Sequence, residues 1–280
     1  ATLALDGYEI TVVAAAAPHR FEWADGYLAF YDAATLGYLG CAPAGNKPEG
    51  ITSYGNLLSC INEGSAREDG LVDHAGSMTL CDVSVVFNPS TVNFGCTTYP
   101  FTEENFEESA WTIASEYRQR DVRLYGPNAD DIAMDLEPEH GSFVLDGAAM
   151  VVSLQDNNGY VFFDTASRKY TYLGGYGYIQ QTLDASDDDG YINIKSSRAG
   201  TMLYGMPMPD QIAVATIGGA VYILTANEGD TRDGEDIIGA ATAADGTDLE
   251  GEETRYGDLG SPTVTTCSGC ADDTELGRIL

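Results

Sequence analysis

Carboxylates recur along this 280-residue chain at repeated places. Asn-Glu-Gly-x-x-Arg-acid occurs twice, from Asn62 to Glu68 and from Asn227 to Asp233, 165 residues apart. A weaker copy, Gln155-Asp156-Asn157, follows the apolar run Val151 to Leu154. Each copy has a proline-acid pair upstream: Pro48-Glu49, Pro138-Glu139 and Pro209-Asp210, with 13, 16 and 17 residues from the acid to the Asn or Gln. If a repeating fold gathers equivalent positions, Glu49, Glu139 and Asp210, or Glu63, Asp156 and Glu228, meet on one face. Gathered carboxylates repel unless a cation sits among them. Hard oxygen ligands with few histidines favour calcium over zinc or copper.

The densest local cluster is Asp184, Ser186, Asp187, Asp188 and Asp189, followed by Asn193. It is not an EF-hand, because the glycine falls at Gly190 and the twelfth position is Lys195. The expected calcium ligands are Asp184, Asp187 and Asp189 with some of Glu137, Glu139, Asp210 and Glu228. The plainer alternatives are a solvated acidic turn at Asp184 to Asp189, and local pairing of Glu63 with Arg67 and of Glu228 with Arg232.

Other chemistries have little to work with. The histidines are His19, His74 and His140, and only His140, beside Glu139, lies in a motif. There is no Gly-x-Ser-x-Gly elbow, and no cysteine stands in a nucleophile's context. A calcium-dependent phosphoesterase remains as an alternative. In it, clustered ions would hold phosphate and activate water, using the same carboxylates plus Arg232.

The elements that would position these acids are strands. Gly26 to Asp32, Gly76 to Asp82 and Asn158 to Asp164 each alternate apolar residues with period two and end in aspartate, a strand running into a turn. Return strands follow the first and third, at Leu36 to Leu39 and Tyr170 to Leu173. The unit is a proline-acid strand, a second strand ending in Asn/Gln-acid, a third ending in Asp, and a return strand. Four strands recurring with long insertions make an all-β propeller the expected fold, as a single domain over residues 1–280. One inserted helix is expected from Glu103 to about Arg118, where Phe106, Ala110, Ile113 and Tyr117 share a face and Thr102 is placed to cap. The stretch from Asn227 to Leu280 carries 14 acids against 3 arginines and reads as long acidic loops.

Composition narrows the partners. With 44 acidic and 13 basic side chains, the formal charge is −31. No cationic surface exists for nucleic-acid phosphates or anionic headgroups. The 44% apolar and 10% aromatic content supports a folded core rather than a disordered acidic chain. The longest apolar run, Val12 to Ala17, is far short of the ~20 residues a membrane-spanning helix needs. Six cysteines, Cys41, Cys60, Cys81, Cys96, Cys267 and Cys270, are expected as disulfides in an oxidising compartment. Spacing favours Cys41 with Cys60, Cys81 with Cys96 and Cys267 with Cys270, although six cysteines allow 15 connectivities. A start at Ala1 without methionine reads as a processed, exported chain.

The runs Asn227 to Asp233, Asp135-Leu136-Glu137-Pro138-Glu139, Leu183 to Asp187, Asp189-Gly190 and Ile192-Asn193-Ile194 resemble the choice-of-anchor I domain. That family includes cell-surface glycoproteins of biomineralising cells and bacterial relatives labelled alkaline phosphatase or phytase-like. The resemblance extends from Gly26-Tyr27-Leu28 to Leu276-Gly277-Arg278 and implies an extracellular β-propeller of about seven blades. Family domains run beyond the equivalent of Leu280, so an incomplete ring of four or five blades is expected, completed by a following segment or a neighbouring chain. The leading functional expectation is a calcium-binding structural or adhesive module assembling with other copies or matrix proteins.

Overall fold

The computed structural model describes residues 1–5, 8–16, 24–64, 74–85, 92–107, 121–124, 132–186, 190–198 and 201–229. Three antiparallel four-stranded sheets follow one another in chain order. The first holds β1 (Thr2–Leu5), β2 (Tyr8–Ala15), β3 (Tyr27–Asp32) and β4 (Tyr38–Pro43). The second holds β5 (Pro48–Tyr54), β6 (Leu57–Asn62), β7 (Ser77–Val85) and β8 (Val92–Pro100). A four-residue helix, α1 (Ile132–Asp135), leads into the third: β9 (Pro138–Val144), β10 (Ala149–Leu154), β11 (Gly159–Asp164) and β12 (Lys169–Gly175). Two small ribbons come next, β13 (Ile179–Gln180) paired with β16 (Tyr204–Gly205) and β14 (Ser197–Arg198) with β15 (Thr201–Met202). The hairpin of β17 (Pro209–Ile217) and β18 (Ala220–Asn227) then begins a fourth unit.

This is an all-β, propeller-like architecture, with each proline-acid pair opening a sheet's first strand. Those first strands adjoin one another, β5 against β9 and β9 against β17. The core lies between successive sheets. Leu3, Ile10, Leu28 and Phe30 of the first pack on Leu58, Cys60 and Val83 of the second, where Phe30 stacks on Phe94 with ring centroids 3.8 Å apart. Between the second and third sheets, Tyr170 is fully buried among Phe101, Phe106 and Phe163 and donates its hydroxyl to the Tyr99 carbonyl at 2.5 Å. β6 and β10 are sandwiched on both faces and are buried almost throughout, which is why their sequences read as continuous apolar runs. β18 holds the same place in its hairpin, yet Val221, Tyr222, Ile223 and Leu224 are exposed.

Close approach between sheets depends on glycine. A methyl group on Gly76 would lie 2.1 Å from the Leu136 carbonyl oxygen, and one on Gly50 would lie 2.7 Å from that of Glu139. Gly76→Ala is therefore expected to lower stability by about 1–3 kcal/mol in urea denaturation. An unchanged midpoint would show that the second and third sheets are not in this contact.

Several expectations are corrected. The start of the helix expected from Glu103 to about Arg118 is corrected: Glu103–Asn105 form a single 3-10 turn without a side-chain cap from Thr102, after which Phe106 turns extended and bridges to Tyr170. Burial of the Phe106 ring against Phe101 and Tyr170 outweighs local helical periodicity; residues 108–120 lie outside the described set. Asp82 makes no turn, since β7 runs three residues beyond it. Asp32 and Asp164 do, each accepting backbone N–H bonds two and three residues ahead. Leu36 belongs to that first turn, and the return strand begins at Tyr38. Cys81 and Cys96 sit directly opposite each other on β7 and β8 and form a disulfide. Cys41 and Cys60 do not pair: Cys41 is exposed on β4, whereas Cys60 is buried on β6 in a different sheet. Burial pushes the Cys60 thiol up to about 12, so it is an inert core side chain. Cys267 and Cys270 lie outside the described residues.

Candidate functional site

Each proline-acid pair carries the same irregularity. In β9, Glu139 and His140 together oppose the single residue Ser153, because Gly141 pairs with Val152 and Pro138 with Leu154. In β5, Glu49 and Gly50 oppose Ile61 alone. In β17, Asp210 has no counterpart between the Pro209–Asn227 and Gln211–Ala226 pairs. A bulge of this kind bends the strand and re-aims its side chains. Here it falls on the strands that adjoin one another, so the acids are delivered to a shared inner region.

That region is electrostatically strained. Glu139 is pushed up to about 8, first by burial and then by the charges of Glu63, Glu49 and Asp156, with Lys47 opposing. Glu63 is also raised: burial is the largest cause, Glu49 and Asp156 add to it, and Lys47 only partly offsets them. Lys47 answers Glu63 with an ion pair of 2.6 Å, and its carbonyl accepts the Glu63 backbone N–H at 2.9 Å. Burial disfavours the charged lysine, but Glu63, then Glu49 and Glu139, outweigh it and hold its pKa above the ordinary value. The Arg67 expected beside Glu63 lies outside the described residues, as does Arg232. The cation that does meet Glu63 comes from the residue before Pro48, a pairing across 16 positions with no local signature in the sequence.

At the junction of the third sheet and β17, His140 Nδ1 lies 3.0 Å from Asp210 Oδ1, and ligand atoms of Glu139, His140 and Asp210 all fall within 4.8 Å of one another. The buried hydroxyl of Ser153 donates to the Asp210 carbonyl at 2.8 Å and accepts the His140 N–H at 3.2 Å, tying the two strands together.

The remaining expected ligands are placed differently. Asp184 organises its own loop: one oxygen accepts both the backbone N–H and the hydroxyl of Ser186, and the other accepts the Asn193 N–H at 2.7 Å. That closure is a structural use of the carboxylate. Asp187 and Asp189 lie outside the described residues. Glu137 is buried between α1 and β9, where its N–H donates to Asn157 Oδ1 at 2.9 Å. Glu228 stands exposed just beyond β18. The structure thus brings Glu49, Glu63, Glu139 and Asp156 into mutual influence around Lys47, and joins Asp210 to Glu139 through His140. Sequence reasoning passed over Lys47 and left His140 aside; the only signal for either was adjacency to the proline-acid pairs.

A family model for the choice-of-anchor I domain matches residues 2–279. No curated protein matches the chain. Among solved structures, hydrazine synthase of Kuenenia stuttgartiensis is similar at 10% identity and a TM-score of 0.31, over 58% of this chain and 38% of that one. A functionally unknown protein of Desulfotomaculum acetoxidans is similar at 11% identity and a TM-score of 0.36, over 86% and 59%. The β-propeller domain of Myceliophteria thermophila Cps50 (Swd1) is similar at 11% identity and a TM-score of 0.23, over 73% and 78%. The chain spans less than two thirds of the length of the first two. None of these likenesses bears on chemistry. Among the described residues, no helix is long and apolar enough to cross a membrane.

Proposed function

The chain belongs to the choice-of-anchor I domain family, and from that membership we propose that it is an extracellular calcium-binding propeller module with a structural or adhesive role. One observation carries the reading. Glu49, Glu63, Glu139 and Asp156 influence one another across two sheets with Lys47 as the opposing charge among the described residues, and Glu139 is driven up to about 8. Such a set is destabilised when fully ionised and is relieved by a divalent cation. Carboxylate oxygens from strands β5 and β9 and from the segments just beyond β6 and β10 fit calcium, which accepts six to eight oxygens in flexible geometry. Glu139 and Asp210 of the expected ligands belong here; Glu49, Glu63 and Asp156 join them, while Asp184 serves its own loop. Calcium supplies the missing positive charge and fixes the inner strands relative to one another.

The assembly role draws support from β18, whose Val221 to Leu224 surface is exposed where the corresponding strands of the second and third sheets are covered. A neighbouring copy or matrix protein that adds strands there would bury it. Calorimetric titration at pH 8 with millimolar calcium is expected to show binding that Glu139→Gln weakens at least tenfold. No heat at millimolar calcium would overturn the reading. Phosphate release from a generic phosphomonoester, abolished by chelation, would replace the module with the calcium-dependent phosphoesterase alternative.

A further inference from the structure

We propose that Glu139, His140 and Asp210 form a site for one divalent cation of the zinc class, at the junction between the third sheet and the β17–β18 hairpin. The site shares two carboxylates with the calcium reading, but its identity as an imidazole site does not depend on calcium binding.

Four observations converge. Adjacent residues on a regular strand point to opposite faces, so Glu139 and His140 would ordinarily be unable to serve one ion. The bulge opposite Ser153 removes that restriction, and the ligand atoms of both reach within 4.8 Å of each other and of an Asp210 oxygen. His140 Nδ1 is shut off from solvent and makes no hydrogen bond of acceptable geometry among the described residues, although Asp210 Oδ1 lies 3.0 Å away. The imidazole nitrogen therefore faces a carboxylate oxygen in an off-axis contact, an arrangement that a bridging metal ion would satisfy on both sides. Ser153, fully buried, holds the backbone of both ligand-bearing strands through its hydroxyl, so the two sides of the site are fixed before any ion arrives. Finally, the residue facing the imidazole across the sheet boundary is Gly50: a methyl group there would lie 3.1 Å from His140 Cδ2 and Cα, and its absence leaves room for the ring.

The donor set selects the ion. Calcium and magnesium prefer all-oxygen shells, whereas imidazole beside carboxylates suits zinc, cobalt and nickel. Three protein ligands leave a fourth position for water. Metal–ligand bonds of about 2.0–2.2 Å set tetrahedral donors about 3.3–3.6 Å apart, so His140 Nδ1 and Asp210 Oδ1, now 3.0 Å apart, must separate slightly, while donors as far apart as 4.8 Å must close by about an ångström, which side-chain torsions can supply. The cation would displace the His140–Asp210 contact and join two sheets that Ser153 already ties through the backbone.

Cobalt is the probe, because its visible absorption reports imidazole-containing four-coordinate sites. Titration of the whole chain with Co2+ is expected to produce absorption between about 500 and 650 nm that Zn2+ competes away. His140→Gln should weaken Co2+ affinity at least tenfold, and Asp210→Asn should do the same. Circular dichroism checks that each variant is folded, and Gln at position 140 keeps the bulk of the side chain. Absence of the absorption, or equal Co2+ affinity in folded His140→Gln, would overturn the proposal. Calcium heat without cobalt absorption sinks this proposal alone; cobalt absorption without calcium heat sinks the calcium reading alone.

Discussion

Lys47→Met should destabilise the metal-free protein by about 2 kcal/mol, and calcium should restore most of the loss. Removing one partner from a fully buried ion pair costs about 3–5 kcal/mol, whereas an exposed pair is worth at most about 1 kcal/mol. The Lys47–Glu63 pair lies between these limits, with the lysine side chain 45% exposed and the glutamate side chain 11%. Losing Lys47 strips the opposing charge from Glu63, which burial, Glu49 and Asp156 already raise, and from Glu139. Calcium at a hundred times its dissociation constant adds about 2.7 kcal/mol. Because the variant's acids are more crowded, its gain from calcium should exceed the wild type's. Urea denaturation with chelator and with calcium measures both. Equal calcium gains in the two proteins would show that the ion and Lys47 do not act on the same acids. Arg168→Met is the control: its 2.7 Å pair with Asp82 is partly solvated at both ends and neither residue is among the charges that act on Glu63 and Glu139, so its loss should cost under about 1 kcal/mol with or without calcium.

Much of the architecture was legible because it rests on local rules. A proline cannot continue a central strand, and Pro48, Pro138 and Pro209 each mark the first residue of a sheet's inner strand. Asp32 and Asp164 announce turns because their carboxylates cap the N–H groups that follow. Asp82 shares the pattern but not the turn: β8 supplies β7 with a nine-residue partner, and no local signal outweighs that pairing. The helix expected from Glu103 does not start there for the same reason, since Phe106 buries itself against Phe101, just after β8, and Tyr170 of β12. The acids were visible as a repeat; their geometry was not. A bulge of one extra residue flips the face that a side chain takes, and nothing in Pro-Glu-His or Pro-Glu-Gly says that two residues will oppose one. Nor does sequence reveal that Lys47, 16 positions away, meets Glu63.

The second large effect is on pH dependence, and its sign is unusual for a carboxylate. Most folded-state carboxylates are lowered by hydrogen bonds or cations, and their contribution is lost as pH falls; Asp164 on its exposed turn is of that kind. Glu139 moves the other way, from an ordinary 4.5 to about 8. Between those values the folded state binds the proton that the unfolded chain has released, so stability falls as pH rises through the interval. Glu63 is raised as well and adds to the slope. Lys47, raised above its ordinary 10.5, contributes stability that is fully present below that value and is lost only at higher pH. It leaves the window from about 4.5 to 8 untouched. A tenfold change in proton affinity is worth about 1.4 kcal/mol at full effect, and partial solvation of Glu139 reduces this, so a loss of about 2 kcal/mol between pH 5 and pH 8 is expected without metal. Glu139→Gln removes the titrating group, so the variant should be nearly flat over that range and more stable than the wild type at pH 8 in chelator. Calcium should reverse the order: by binding only the ionised cluster it flattens the wild-type profile, and at pH 8 the wild type with calcium should be the more stable of the two. Urea midpoints at pH 5, 6, 7 and 8, with and without calcium, decide the matter. A wild-type profile that rises with pH in chelator would mean that Glu139 is ionised in the folded state at low pH, and the case for a charge-starved inner cluster would fall with it.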